Sequence, residues 1–67
     1  MEKFFVEFNE YEPKYIQISN NIKKLINEKR ISGGEKLPAI RALAKFLAVN
    51  NDTIVSCYKR LVSDGYA

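Results

Sequence analysis

The sequence contains no histidine, a single cysteine and no long apolar run, and each absence excludes a class of function. Without histidine or a second cysteine, the 67 residues provide neither a Cys–His catalytic pair nor a usual set of zinc ligands. Cys57 cannot form an internal disulfide, which fits a reducing cytoplasm. No apolar run approaches the ~20 residues that span a bilayer. The acidic start, MEKFFVEFNEYE, is not a signal peptide. We therefore expect a cytoplasmic protein with no membrane partner.

Signals for catalysis are also missing. A chain this short buries only ~60% of the surface that its unfolded form exposes, so a deep catalytic cleft is hard to build. The pattern places no pair of carboxylates on one buried face. Gly33 and Gly34 precede Lys36, but without the GxxxxGK[ST] spacing of a phosphate loop. We expect neither an enzyme nor a cofactor or metal bound by these residues.

The charge is unevenly distributed along the chain. Residues 1–12 hold one lysine against four glutamates, whereas residues 13–67 hold ten basic side chains against four acidic ones. The net charge of +3 therefore understates how basic the main body is. A basic body favours a polyanionic partner, most often nucleic acid, although a small soluble protein can also be basic without such a partner.

The hydrophobic pattern predicts a mainly α fold with a short N-terminal strand. Residues 3–8 partly alternate, with Phe4, Val6 and Phe8 on one side and Phe5 and Glu7 on the other. This alternation indicates the strand and sets apart an extended segment, 1–12. Helical spacing then predicts helices at about 13–30, 39–47 and 51–63. Pro13 suits a first helical turn, Gly33 and Gly34 suit the end of the first helix, and Gly65 suits the end of the third.

Two short helices joined by a tight turn, after a longer helix, are typical of the helix-turn-helix motif. Its third helix is held so that its first turn can enter a DNA major groove. We expect Arg41 and Lys45 to contact phosphates, which positions a protein without reading sequence. Asn50 is expected to cap the third helix. We expect four polar side chains to point toward base edges, namely Asn51, Asp52, Thr53 and Ser56. Lys59 is expected to belong to the same DNA-binding surface.

Residues 13–67 resemble the N-terminal winged helix-turn-helix domain of the GntR family of bacterial transcription regulators. The resemblance rests on LP..R.LA..L.V, TIV..YKRL and the closing DGY, in this order and spacing. It implies sequence-specific binding of double-stranded DNA, with Arg41, Asn50 and Thr53 at family contact positions. Asn51 stands where many members have arginine, and Asp52 stands where asparagine or threonine is common. Ala39 replaces the usual capping serine of the second helix, which should weaken that helix start by ~1 kcal/mol.

The resemblance also implies parts that this chain lacks. Family members continue into a β-hairpin wing and a C-terminal effector-binding or dimerisation domain. We therefore expect a fragment of a longer regulator, monomeric or weakly dimeric, whose full-length parent is a homodimer. The details RALA, CYKRLVSDGYA and YEPKYIQI resemble the MocR and YtrA branches. Members of the MocR branch carry a C-terminal domain that binds pyridoxal phosphate.

One alternative function belongs to a different class, namely a winged helix used only for protein–protein interaction. A pairing surface of that kind would expose apolar side chains along the third helix. Only Val55 does so on the reading side, whereas Asn51, Ser56 and Lys59 favour DNA.

Overall fold

The computed structural model describes residues 1–31 and 37–66. It contains a short 3-10 turn, Glu2–Phe4, followed by three α-helices. These are α1 (Lys14–Asn27), α2 (Ile40–Leu47) and α3 (Asn51–Ser63). Helix α1 starts one residue after Pro13 and ends three residues before the expected position 30. The mainly helical fold class is confirmed.

Helix α3 is the central element because it packs against both α1 and α2. Each helix turns an apolar stripe inward, as the helical spacing of its Ile and Leu residues predicts. On α3 this stripe consists of Ile54, Cys57 and Leu61, all three completely buried. The core of the described residues is Phe4, Ile18, Ile22, Leu25, Ile31, Leu43, Ala44, Leu47, Ile54, Cys57 and Leu61.

The predicted N-terminal strand is wrong, because no strand is present in the described parts of the chain and the 3-10 turn occupies its start. The sidedness that the alternation indicated is nevertheless observed. Phe4 is buried and Phe5 is 63% exposed, and Val6 and Phe8 pack against the core. A strand needs a hydrogen-bonded neighbour, and α1 cannot provide one. The segment therefore packs on α1 without becoming a strand.

Gln17 takes the place of that missing strand partner. Its side chain on α1 is 8% exposed. Its Oε1 accepts a hydrogen bond from the Asn9 amide at 3.0 Å, and its Nε2 donates to the carbonyls of Asn9 and Glu12 at 3.2 and 2.8 Å. A buried amide with its partners satisfied is favourable, whereas an unsatisfied one is costly. Gln17 thus fastens the N-terminal segment to α1.

All three helices end in the same hydrogen-bonded arrangement, with one residue in the left-handed conformation. That residue is Lys29 (φ 60°) after α1, Ala48 (φ 57°) after α2 and Gly65 (φ 81°) after α3. In each case the following amide reaches back to the last helical turn, at 2.9, 2.9 and 2.8 Å respectively. This is the Schellman motif. Gly65 ends α3 as expected, whereas Gly33 and Gly34 lie outside the described residues.

No helix within residues 1–31 and 37–66 is long and apolar enough to cross a membrane.

Candidate nucleic-acid interface

The turn between α2 and α3 is three residues long. Ala48 reverses the chain in the left-handed conformation, and the Val49 amide donates to the Ala44 carbonyl at 2.9 Å. Asn50 then lies in an extended conformation, and its carbonyl accepts the Thr53 amide at 3.0 Å. Asn50 therefore occupies the capping position, but its side chain makes no capping hydrogen bond and remains exposed. This geometry is that of a helix-turn-helix.

The first turn of α3 presents polar side chains to solvent. Asn51 and Asp52 are exposed and Thr53 is half-buried, and Ser56 is exposed in the second turn. Ile54, in the same first turn, is completely buried. An open groove of about 420 Å³ begins here, lined by Val49, Asn50, Asn51 and Asp52. Of the predicted base-reading side chains, Asn51 and Asp52 line this polar groove, whereas Thr53 and Ser56 lie outside its lining.

The predicted phosphate-contacting residues lie on the solvent side of α2. Arg41 and Lys45 are both exposed and stand one helical turn apart, so they share a face. Lys59 is exposed further along α3. Within the described residues, no ion pair engages any of these three side chains. Their positive charges are therefore available to an anionic partner.

The C-terminal end of α3 is fixed by charge. Lys23 Nζ lies 2.5 Å from Asp64 Oδ2 and stands over the Tyr66 ring, 5.4 Å from its centroid. Arg60 Nε lies 3.9 Å from the same carboxylate oxygen. The hydrogen bond from Lys23 lowers the pKa of Asp64 below its ordinary value. Asp64 thus connects α1 to the end of α3.

Cys57 and Tyr58 on α3 have structural roles. Burial raises the pKa of the Cys57 thiol to about 12, so the thiolate is not available near neutral pH. Burial, with a smaller effect of Cys57, raises the pKa of Tyr58 to about 12 as well. The Tyr58 hydroxyl donates a 2.7 Å hydrogen bond to the Pro38 carbonyl, which ties α3 to the chain that enters α2. Over the described ranges, no group of His, Cys, Asp and Glu side chains could hold a metal ion.

One basic residue near the turn is absent from the set predicted from sequence. Lys14, the first residue of α1, lines an open groove of about 450 Å³ together with Ala48, Val49, Asn50 and Thr53. Helical periodicity places Lys14 on the exposed side of α1 but does not indicate which other element lies nearby. Only the packing of the helices brings it next to the turn.

The short turn and the exposed first turn of α3 define this chain as a helix-turn-helix domain. It belongs to the gntR family of bacterial regulatory proteins, whose family model matches residues 14–67. Members of this family bind DNA and regulate transcription, so the chain is a DNA-binding domain of that kind.

Three curated relatives illustrate the similarity. YdfD of Bacillus subtilis (strain 168), an uncharacterised HTH-type transcriptional regulator, is 40% identical over 79% of this chain and 11% of its own length. The HTH-type transcriptional repressor YtrA of the same organism is 36% identical over 79% of this chain and 41% of its own length. PdxR of Corynebacterium glutamicum, an HTH-type pyridoxine biosynthesis transcriptional regulator, is 30% identical over 91% of this chain and 14% of its own length.

These relatives confirm the resemblance to the GntR family, since they include both YtrA and the MocR-like PdxR. The chain spans less than half the length of each of the three. No solved structure matches it. Because the relatives are named as transcription regulators, they do not favour the protein-interaction alternative.

Proposed function

We propose that this chain reads a specific sequence in double-stranded DNA by placing the first turn of α3 in the major groove. The carrying observation is the two-sidedness of α3: Ile54, Cys57 and Leu61 are completely buried, while Asn51 and Ser56 are exposed. The major groove is ~12 Å wide and admits one helix, whose outer side chains then meet the base edges.

The roles of individual residues follow from their chemistry. The Asn51 amide can pair bidentately with adenine, and the Asp52 carboxylate can accept from the amino group of cytosine. Thr53, half-buried at the edge of the surface, can pack its methyl against thymine. The Ser56 hydroxyl can donate a hydrogen bond to a base edge or accept one from it. Asn50 precedes the helix, where its side chain would lie beside the DNA backbone.

The basic side chains would secure the docking. Arg41 and Lys45 on α2 would contact the phosphates beside the groove, and Lys59 would contact them further along α3. Such contacts release counterions, so each one makes binding more dependent on salt. The exposure of all three side chains, with no competing ion pair within the described residues, supports this assignment.

We further propose that the chain acts by binding and not by catalysis, in the cytoplasm, where a bacterial regulator meets its DNA. It would be a monomer or weak dimer, as one module of a homodimeric regulator.

A pyridoxal phosphate site, as in MocR-type regulators, would lie outside these residues. Their apolar groove, lined by Ile40, Val55, Tyr58, Lys59, Val62 and Ser63, is open to solvent. Lys59, the lysine of this groove, is exposed to solvent. It does not fit the desolvated environment that activates a lysine to form a Schiff base.

The experiment compares two substitutions on two kinds of DNA. A duplex is first selected from a random library with the 67-residue chain, and binding to it and to an unrelated duplex is measured by fluorescence anisotropy. Arg41→Ala should weaken binding to both duplexes equally. It should also reduce the salt slope, the steepness with which log K falls with log salt concentration, by ~0.9, which corresponds to the loss of one phosphate contact. Asn51→Ala should reduce the preference for the selected duplex by ~5–150-fold, the equivalent of 1–3 kcal/mol.

Lys24→Ala provides the control, because Lys24 is exposed near the far end of α1. Lys24→Ala should change neither the salt slope nor the preference for the selected duplex. If the selection yields no motif, sequence-specific reading is refuted. If Arg41→Ala and Asn51→Ala have the same effect on both duplexes, the division between phosphate and base contacts is wrong.

A further inference from the structure

The groove beside the turn receives a positive charge from α1. Lys14 lines it together with Ala48, Val49, Asn50 and Thr53, in an open volume of about 450 Å³. The other four residues belong to the turn and to the first turn of α3. A charge at this place would stand beside the DNA strand when α3 enters its groove, an argument that rests on the function proposed above.

The N-terminal segment fixes the position of this charge. Lys14 Nζ lies 5.2 Å from the centroid of the Phe8 ring, within the range of a cation–π contact. Phe8 is half-buried and packs against the core, so its ring is a fixed support. Gln17 holds the chain between the two residues through its hydrogen bonds to Asn9 and Glu12.

A cation–π contact leaves the charge of the lysine intact, whereas a carboxylate would neutralise it. The segment does contain acidic side chains close by, Glu10 and Glu12. Within the described residues, however, neither is paired with Lys14. The ammonium group thus keeps its full positive charge at the edge of the groove.

We propose that Lys14 is an additional phosphate-binding residue of the DNA interface, positioned by Phe8 and the N-terminal segment. Its ligand is a backbone phosphate next to the base pairs that α3 reads. Duplex DNA carries one charge per ~1.7 Å of its axis, so a lysine beside the docked helix meets a phosphate in any sequence. The contact would therefore add affinity and salt dependence without sequence preference.

The test uses the 67-residue chain and a fluorescein-labelled duplex of mixed sequence, about 20 base pairs long, titrated between about 50 and 200 mM salt. Lys14→Ala should lower the salt slope by ~0.9. The ratio of the wild-type DNA affinity to that of the variant would then fall about 3.5-fold across that range of salt concentration. Lys14→Arg, which keeps the charge, should restore most of the affinity.

Lys24→Ala is the matched control, since Lys24 lies ten residues further along α1, about 15 Å away along its axis. Its slope should equal that of wild type. If Lys14→Ala leaves the slope unchanged, or if both variants lower it equally, the proposed contact is refuted. If wild type itself binds without salt dependence, the proposed function fails before any variant is compared.

Phe8→Leu tests the positioning role, because it keeps an apolar side chain on the core while removing the aromatic ring. It should weaken DNA binding in the wild-type background and have no further effect in the Lys14→Ala background. An equal loss in both backgrounds would refute the role of the ring. Far-ultraviolet circular dichroism, expected to be unchanged, confirms that each variant is folded.

Discussion

Replacing Ala48 with glycine should stabilise the domain, although it removes a methyl group and adds no contact. Ala48 has φ 57° and ψ 46°, the left-handed conformation in which an L-residue brings Cβ too close to the following carbonyl oxygen. The Schellman hydrogen bonds of Ala48 and Val49 to Lys45 and Ala44, at 3.2 and 2.9 Å, hold it there. Glycine adopts this conformation without steric cost.

The magnitude follows from two opposing effects. The left-handed conformation costs a residue with a Cβ roughly 1–2 kcal/mol. Glycine, however, has a larger conformational entropy in the unfolded chain, which opposes folding by ~0.4–1 kcal/mol. Ala48 is exposed, so little packing is lost. The net gain in the free energy of unfolding should be about 0.5–1 kcal/mol, which raises the Tm of a domain this size by roughly 2–8 °C.

Urea denaturation and thermal melting, both followed by circular dichroism, measure this gain. Ala42→Gly provides the matched control, because Ala42 is also exposed but lies inside α2, where glycine costs ~1 kcal/mol. Gly65→Ala is the reverse change at φ 81°. No atom lies within 4 Å of the added Cβ, so any loss of stability there is conformational. If Ala48→Gly destabilised the domain as much as Ala42→Gly, the left-handed conformation assigned to Ala48 at the end of α2 would be contradicted.

Two other substitutions test contacts that the sequence did not predict. Gln17→Ala should lower the free energy of unfolding by ~1–3 kcal/mol and speed hydrogen exchange at the Asn9 amide, whereas the exposed Asn20→Ala should do neither. Asp64→Asn should be less stable than wild type at neutral pH. Because the folded-state pKa of Asp64 is lowered, its contribution is present above the ordinary value of 3.8 and is lost as the pH falls through the folded pKa. Urea unfolding at several pH values should show the two proteins converge in acid; a constant difference would contradict the role of the Lys23 ion pair.

The helices were predictable because their apolar residues follow helical spacing and each helix is short and uninterrupted. Leu43, Ala44 and Leu47 are buried on α2 as this spacing indicates, and Arg41 and Lys45 are exposed opposite them. The exposed first turn of α3 follows from the same argument. The contacts of these side chains with DNA remain predictions, since they depend on a partner that the sequence does not contain.

The features missed by sequence reasoning depend on contacts between distant residues. Alternation over 3–8 correctly indicated which side faces the core, but it could not show that α1 would offer Gln17 instead of a neighbouring strand. Lys29 continues the helical spacing, and Lys29 and Arg30 suit the negative end of a helix dipole, so the sequence predicts that α1 extends to 30. Lys29 instead adopts the left-handed conformation that ends the helix. The burial of Ile31 against the core favours the earlier ending, because the chain must turn inward to reach it.

The proximity of Lys14 to the turn is another property of the packing. Lys14 and Thr53 are almost forty positions apart in the chain, yet they line one groove. No periodicity relates them, and α3 brings them together only because it packs on α1. The sequence does indicate the contact between Lys14 and Phe8 in part, because the two residues are close in the chain, on either side of Pro13.

The central claim is that the first turn of α3 contacts the bases, and an NMR titration of the ¹⁵N-labelled chain with its selected duplex tests it most directly. The largest changes in amide chemical shift should fall on residues 50–56, with smaller changes around Arg41 and Lys45. The far end of α1, near Lys24, should remain unchanged. The largest changes at the far end of α1 or around Val62, with residues 50–56 unaffected, would contradict the account.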